Sequence, residues 1–432
     1  MRRPLPSRRQ ALLTLGAAAT ATLLPACGGG DDGSSGGNAT IRAINLTSDL
    51  ARLDLYFDDT RQFASLATDA LADNITLGSA DYTVKIKRAG DSTTLISGTY
   101  SLSADKHYTA IVWGRENALR LTTLPEDETD SDITSGSSRL RIFSATQDSG
   151  TVDVYITSST ADIADATPTI GSVTAGLLTG FTELSAGTYR LRVTGSGDPN
   201  DLRLDIAAIT LTQGQHATLV ITPGTGGVLV NALQVRQQGT LTSMKNTQAR
   251  LRVVASADNG GTVNVALGGR TLAGGLRSPS IGPYQLVDTT SGAFTVRLNG
   301  TVVDSSTRSL SAGADYTLMV LGSGSVALLS DDNRLPSNTA RLKMRLVHGT
   351  AGFDPLTLSL DYLALVADLA AGSASGYVIT PSNGSARVDV TAPSAVAPVF
   401  SDTDATLLGS SIYTVFVLGG NAAPTGLIRK ER

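Results

Sequence analysis

Apolar and polar residues alternate along most of this chain in short runs. Tyr82-Thr83-Val84-Lys85-Ile86, Tyr189-Arg190-Leu191-Arg192-Val193, Phe294-Thr295-Val296-Arg297-Leu298 and Ala386-Arg387-Val388-Asp389-Val390 carry an apolar residue at every second position. That period turns one face of an extended segment toward a core, so each run predicts a β-strand. Tyr108-Thr109-Ala110-Ile111-Val112, Ala217-Thr218-Leu219-Val220-Ile221, Tyr316-Thr317-Leu318-Met319-Val320 and Tyr413-Thr414-Val415-Phe416-Val417 form a second such set, rich in β-branched and aromatic residues. Clusters of Gly, Asp, Asn and Ser interrupt the runs at roughly 8–12 residue intervals, the spacing of turns between antiparallel strands.

The runs recur in a fixed order. Ile41-Arg42-Ala43-Ile44, Leu140-Arg141-Ile142-Phe143, Leu251-Arg252-Val253-Val254 and Met344-Arg345-Leu346-Val347 each open a copy. A polar residue, Asp54, Asp153, Asn264 or Thr357, then stands thirteen positions after the apolar residue that precedes the Arg. The copies begin 99, 111 and 93 residues apart. About seven strands in a unit of this size predict an Ig-like antiparallel β-sandwich. The expected organisation is all-β, with four tandem units at residues 39–130, 138–238, 249–337 and 340–432. The linkers Asp130 to Ser137, Gln238 to Gln248 and Pro336 to Thr339 are short, and fit either a string or a compact pair of pairs.

Composition supports this reading. Charged residues make up 17% of the 432 positions and hydrophobics 41%, too apolar for disorder. Only five Glu and six Lys are present against 45 Gly, so the usual residues of exposed helix faces are scarce. Three His and one Cys leave little material for zinc, thiol or disulfide chemistry.

The first residues read as an address. Arg2, Arg3, Arg8 and Arg9 precede an apolar run from Ala11 to Leu24, and residues 1–26 contain no acid. A charged n-region and a short h-region predict a signal peptide over 1–26. The Ser7-Arg8-Arg9 stretch resembles a twin-arginine export signal, with general secretion as the alternative route because Ala11 stands where that motif usually has Phe. Leu24-Pro25-Ala26-Cys27 resembles a bacterial lipobox, and Cys27 is followed by a Gly- and Ser-rich tether over 27–38. The resemblance implies cleavage before Cys27 and diacylglycerol on its thiol, hence a membrane partner through that anchor. Gly28, rather than Asp, after the cysteine implies the outer membrane, facing either the periplasm or the cell surface. Without residues 1–26 the chain has 30 bases against 38 acids, a net charge of −8, which disfavours nucleic acid as a partner.

The order of motifs resembles a family, the domain of unknown function 4397, an extracytoplasmic β-sandwich module. Arg345-Leu346-Val347-His348 and Val152-Asp153-Val154-Tyr155 carry its opening, and Gly180-Phe181 and Gly376-Tyr377 its middle segment. Ala327 to Asn333 resembles its ending. The resemblance extends over nearly all of residues 39–432 and implies a fold but no activity. Only the fourth copy keeps the opening His, so a His chemistry shared by the copies is not expected.

Candidate reactive groups are few. His107 and His216 occupy matching places before a strand Thr and read as strand-edge residues; His348 lacks a second ligand at metal spacing. The acidic stretches 126–130, 198–201, 258–260 and 331–333 are oxygen-rich but lack EF-hand spacing, and Asp and Asn favour turns in any case. Trp113 is the sole Trp, which gives little basis for an aromatic sugar platform. No catalytic residue, cofactor or metal is expected. The expected function is a non-catalytic, lipid-anchored envelope protein with a scaffold, adhesion or interaction role, partnered by other envelope proteins or polysaccharide. Two alternatives stand beside it: a lipoprotein that binds polysaccharide or Ca²⁺, and a carboxylate-based envelope hydrolase.

Overall fold

A computed structural model describes residues 36–129, 133–289, 292–351 and 353–432. The expected signal peptide, the Arg8-Arg9 pair and Cys27 lie outside the described residues. From Gly37 to Arg432 the chain forms one compact unit. It is β throughout, with short 3₁₀ turns such as Glu116–Ala118 and no α-helix among the described residues. No helix there is long and apolar enough to cross a membrane.

Eight sheets of four or five strands stack as four sandwiches. In the first sandwich, one sheet runs Ile75–Gly78, Asn38–Thr47, His107–Gly114, Arg120–Pro125. Its partner sheet runs Thr60–Ala67, Arg52–Phe57, Ala80–Arg88, Thr94–Leu102. The other three repeat this plan. Within it one pairing is parallel: Asn38–Thr47 lies beside His107–Gly114, because the chain crosses to the second sheet and back between them. Ser137–Ser144 with His216–Pro223, Gln248–Ser256 with Asp315–Leu321, and Arg341–His348 with Ser411–Leu418 are paired the same way. The stretch 238–248, expected as linker, also holds a strand, Leu241–Met244, which extends the second sandwich by pairing with Val230–Arg236.

The opening strands are buried on both faces. Ile41 and Ala43 turn into the core of the first sandwich, whereas Ile44 and Leu46 turn outward and are just as buried. Outward they meet Phe143, Val220 and Leu233 of the second sandwich. The third and fourth sandwiches join alike, through Val254 and Met319 against Val347 and Phe416. The arrangement is therefore a pair of pairs, each pair closed by a face-to-face seam of two parallel-paired sheets. The pairs also touch each other. The backbone N–H of Gly226 donates to the carbonyl of Gly313 at 2.7 Å, and Arg432 Nη1 donates to the carbonyls of Gly227 and Asn333 at 3.0 and 3.2 Å.

The thirteen-residue spacing has a structural cause. Asp54, Asp153, Asn264 and Thr357 sit near the start of the second strand of each copy, beside a β-bulge in its neighbour. Asp54 Oδ1 accepts the N–H of Ser65 at 2.6 Å, Asp153 Oδ1 that of Ser172 at 2.7 Å, Asn264 Oδ1 that of Gly275 at 2.7 Å, and Thr357 Oγ1 that of Asp368 at 3.3 Å. All four donors have positive φ, between 51° and 64°. A bulge residue in this conformation leaves its N–H out of the ladder, and the polar side chain opposite satisfies it. Burial alone would raise the Asp153 carboxyl; the N–H groups of Ser172 and Gly197 and the Ser196 hydroxyl override that and hold it below the usual range.

Candidate functional site

The four repeated arginines converge on the seams. Alternation along the opening strand points Arg42, Arg141, Arg252 and Arg345 away from their own sandwich core, and each is at least 94% buried. In each copy the Arg lies directly opposite a Thr of the parallel strand, and its Nε donates to that hydroxyl. The distances are 2.9 Å to Thr109, 3.0 Å to Thr218, 2.8 Å to Thr317 and 3.4 Å to Thr414. Three of the guanidinium groups also stack on an aromatic ring: Arg141 on Phe181, Arg252 on Tyr284 and Arg345 on Tyr377, with centroid distances of 4.5–4.6 Å. Phe181 and Tyr377 are the Gly-Phe and Gly-Tyr positions of the repeat.

The remaining nitrogens cross the seam. Arg42 donates to the carbonyls of Arg236 and Gly239 in the second sandwich, and Arg141 returns to the carbonyl of Pro125 in the first. Arg252 meets both carboxylate oxygens of Glu431 in the fourth sandwich, and Arg345 reaches Asp331 in the third. Desolvation alone would lower a guanidinium and raise a carboxyl. Tyr284 and Glu431 keep Arg252 firmly charged, while Arg345 and Arg252, with the Thr317 and Tyr284 hydroxyls, hold Asp331 below the ordinary carboxylate range. A planar, permanently charged fork suits this place better than Lys, because it can stack, donate to Thr and span the seam together.

The expected candidates fall elsewhere. His107 opens its strand and its Nδ1 lies 2.9 Å from Asp127. His216 opens the matching strand, buried edge-on to Phe181 at 5.2 Å. His348 is wholly buried with Nε2 3.0 Å from the Asp354 carbonyl, and burial lowers its imidazole below the usual value. The structure brings none of the three into a cluster, and no group of three or more His, Cys, Asp or Glu able to hold a metal occurs among the described residues. Three of the four acidic stretches are engaged in structural bonds: Glu126 with Arg42, Asp201 with Arg203, Asp331 with Arg345, and Asp332 with Arg334 and Lys343.

Two cavities lie where sandwiches meet. One of about 530 Å³ lies among the first three and is lined by Thr47, Ser48, Thr222, Thr225, Asn231 and the Asp69–Lys245 pair, among others. Another of about 410 Å³ is lined by Arg115, Ser330, Asp332, Lys343, Arg345 and Tyr377, among others. Each has a single carboxylate in its wall. A shallower cleft holds Asp49 and Glu116, but Asp49 accepts the Glu116 N–H and Glu116 pairs with Arg88. Facing carboxylates free for acid–base work are absent from these three clefts.

Sequence reasoning missed the seam role of the arginines. Its signal was present: Arg flanked by apolar residues on both faces of a strand marks a segment buried on both sides.

Residues 39–155 match the family model described as domain of unknown function (DUF4397). No curated protein matches the chain. Among solved structures, a CBM26-family module, CBMbc, from Eubacterium rectale Amy13K, crystallised with maltoheptaose, is 14% identical. That match covers 48% of this chain and 95% of the module, with a TM-score of 0.15. The Bacillus anthracis TIE protein is 10% identical over 85% of this chain and 65% of its own, with a TM-score of 0.14. Superpositions this poor transfer neither shape nor ligand.

Proposed function

We propose that this chain is a non-catalytic, lipid-anchored protein of the bacterial cell envelope, and that its four sandwiches act as one scaffold. One observation carries the reading: the charged and polar positions that the copies repeat serve architecture. The repeated Arg binds seam to seam, and the repeated Asp, Asn or Thr holds a bulge. A body closed in this way presents the outer faces of its second sheets as broad contact surfaces, which suits weak contacts multiplied over several modules. The anchor reading rests on Leu24-Pro25-Ala26-Cys27 behind an apolar run.

Two measurements test this. Mass spectrometry of the mature amino terminus should find a chain starting at Cys27 with acyl chains attached; an unmodified Cys27 overturns the anchor. Purified protein should leave envelope polysaccharides uncleaved, and hydrolysis abolished by replacing one Asp overturns the non-catalytic reading. The cavity of about 530 Å³, walled by hydroxyl and amide groups, supports a second reading in which the body also holds a polysaccharide segment. Calorimetric titration with envelope oligosaccharides separates the two.

A further inference from the structure

Three of the copies make the same two-residue hairpin between the second and third strands, with both tip residues at positive φ. The tips are Asp58-Asp59 (44° and 67°), Gly268-Gly269 (55° and 86°) and Asp361-Tyr362 (46° and 67°). Asp and Gly tolerate this conformation, whereas a bulky aromatic there is strained. In the fourth sandwich that strain coincides with exposure. Tyr362 is 81% exposed and Leu363, the next residue, 70%. The Arg387 guanidinium lies 5.3 Å from the centre of the Tyr362 ring. Leu408, 49% exposed, belongs to the same end of the sheet: Asn383 bonds to Asp361, and Asn383 is paired with Leu407. A convex tip with exposed aromatic and aliphatic side chains is a poor small-molecule site, since such sites are concave. It suits a soft apolar surface topped by a polar layer, where Tyr straddles the boundary, while Arg387 is held behind the ring by Asp389 at 2.6 Å.

We infer that the Tyr362-Leu363 tip docks on a lipid bilayer surface. The inference rests on the anchor proposed above. Asn38, where the first strand begins, follows Cys27 by eleven positions, a span of at most about 40 Å when fully extended. A lipid on Cys27 therefore keeps the body close to the membrane, where a small apolar tip contributes to orientation without having to hold the protein by itself.

The test uses the full lipidated chain reconstituted on vesicles of phosphatidylethanolamine and phosphatidylglycerol. Tyr362→Trp is compared with Asp59→Trp at the equivalent tip of the first sandwich, where the native Asp59 side chain is 82% exposed. Trp113 is buried and gives both variants the same background. The expected result is that the indole introduced by Tyr362→Trp emits to the blue and is quenched by lipids brominated in their acyl chains. The indole introduced by Asp59→Trp should respond to neither vesicles nor quencher. A chain that floats with the vesicles while the indole of Tyr362→Trp stays in water overturns the tip and leaves the anchor standing. A chain that does not float overturns both. Emission that is already blue-shifted without vesicles, together with a doubled mass in sedimentation, overturns the bilayer reading and assigns the tip to a second copy of the chain.

Discussion

Arg252 and Glu431 face each other across the seam of the third and fourth sandwiches, with Nη1 and Nη2 2.7 and 2.8 Å from the two carboxylate oxygens. Both side chains are at least 98% buried. Removing one partner leaves the other buried with only a longer contact, Arg252 to Asp331 at 4.0 Å or Glu431 to Arg429 at 3.6 Å. Arg252→Ala or Glu431→Ala is expected to cost about 3–5 kcal/mol. Replacing both with Met should cost much less than the sum of the single changes. Denaturant melts of the four proteins, treated as a double-mutant cycle, measure the coupling. Additive losses would show that the pair does not act as a unit.

The bulge bonds make a milder prediction. Asn264 performs in the third copy the task of Asp54 in the first. Asp54→Asn should therefore stay within about 1 kcal/mol of the parent, whereas Asp54→Ala, which leaves the Ser65 N–H unsatisfied, should cost about 1–3 kcal/mol. Equal losses for the two variants would separate the side chain from the bulge.

Acid should weaken the junction around residues 331 and 332. Burial opposes ionisation of Asp332, but Arg334 and Lys343 outweigh it and bring the carboxyl down from 3.8 to about 2. Asp331 is lowered as well, by Arg345 and Arg252 against its burial. A carboxyl whose folded pKa is depressed contributes stability that is complete above its unfolded pKa, near 4, and is lost as pH falls toward the folded value. Melting temperature should accordingly be level with respect to these groups above about pH 5 and fall between about pH 4 and 2. Asp332→Asn should reduce that fall; an unchanged acid profile would remove Asp332 from its cause.

Trp113 offers a direct view of the first seam. It lies edge-on to Phe143 of the second sandwich, ring centres 5.7 Å apart, and is 3% exposed. Its emission should be blue in the native state and turn red when the first and second sandwiches part. If the seam holds until the sandwiches unfold, Trp113 emission and far-ultraviolet circular dichroism should report one midpoint. An earlier red shift would mean that the seam opens first.

Much of this fold is legible in the chain itself. Period-two runs such as Tyr189 to Val193 mark strands, and the repeat of Arg and the following polar residue marks the copies. Alternation shows that a strand has two faces, but not which partner covers the second one. Ile44 and Leu46 lie on the face opposite Ile41 and Ala43, and only the docked second sandwich explains why they are buried. The parallel pairing of Asn38–Thr47 with His107–Gly114 is hidden for a related reason: the two strands are far apart in the chain, and no local turn announces their meeting. The strand Leu241–Met244 has four residues and gives too short a run for its period to be recognised. The exposed tip differs, because Tyr362 becomes unusual only once its φ and its two equivalents are known.

The parallel pairing also sets an order in time. Arg42 meets Thr109 only after 67 residues, and Arg141 meets Thr218 only after 77, so neither opening strand can be fixed until most of its module has been made. Closing such long loops slows folding. The first seam needs nothing beyond Met244 for its buried cluster and can close while the last two modules are still being synthesised. Refolding should then show a Trp113 signal that reaches its native value at the same rate in Phe416→Ala, a variant weakened only at the second seam. On that footing the body forms as two halves, and the half, rather than the single module, is the smallest piece that contains a closed seam.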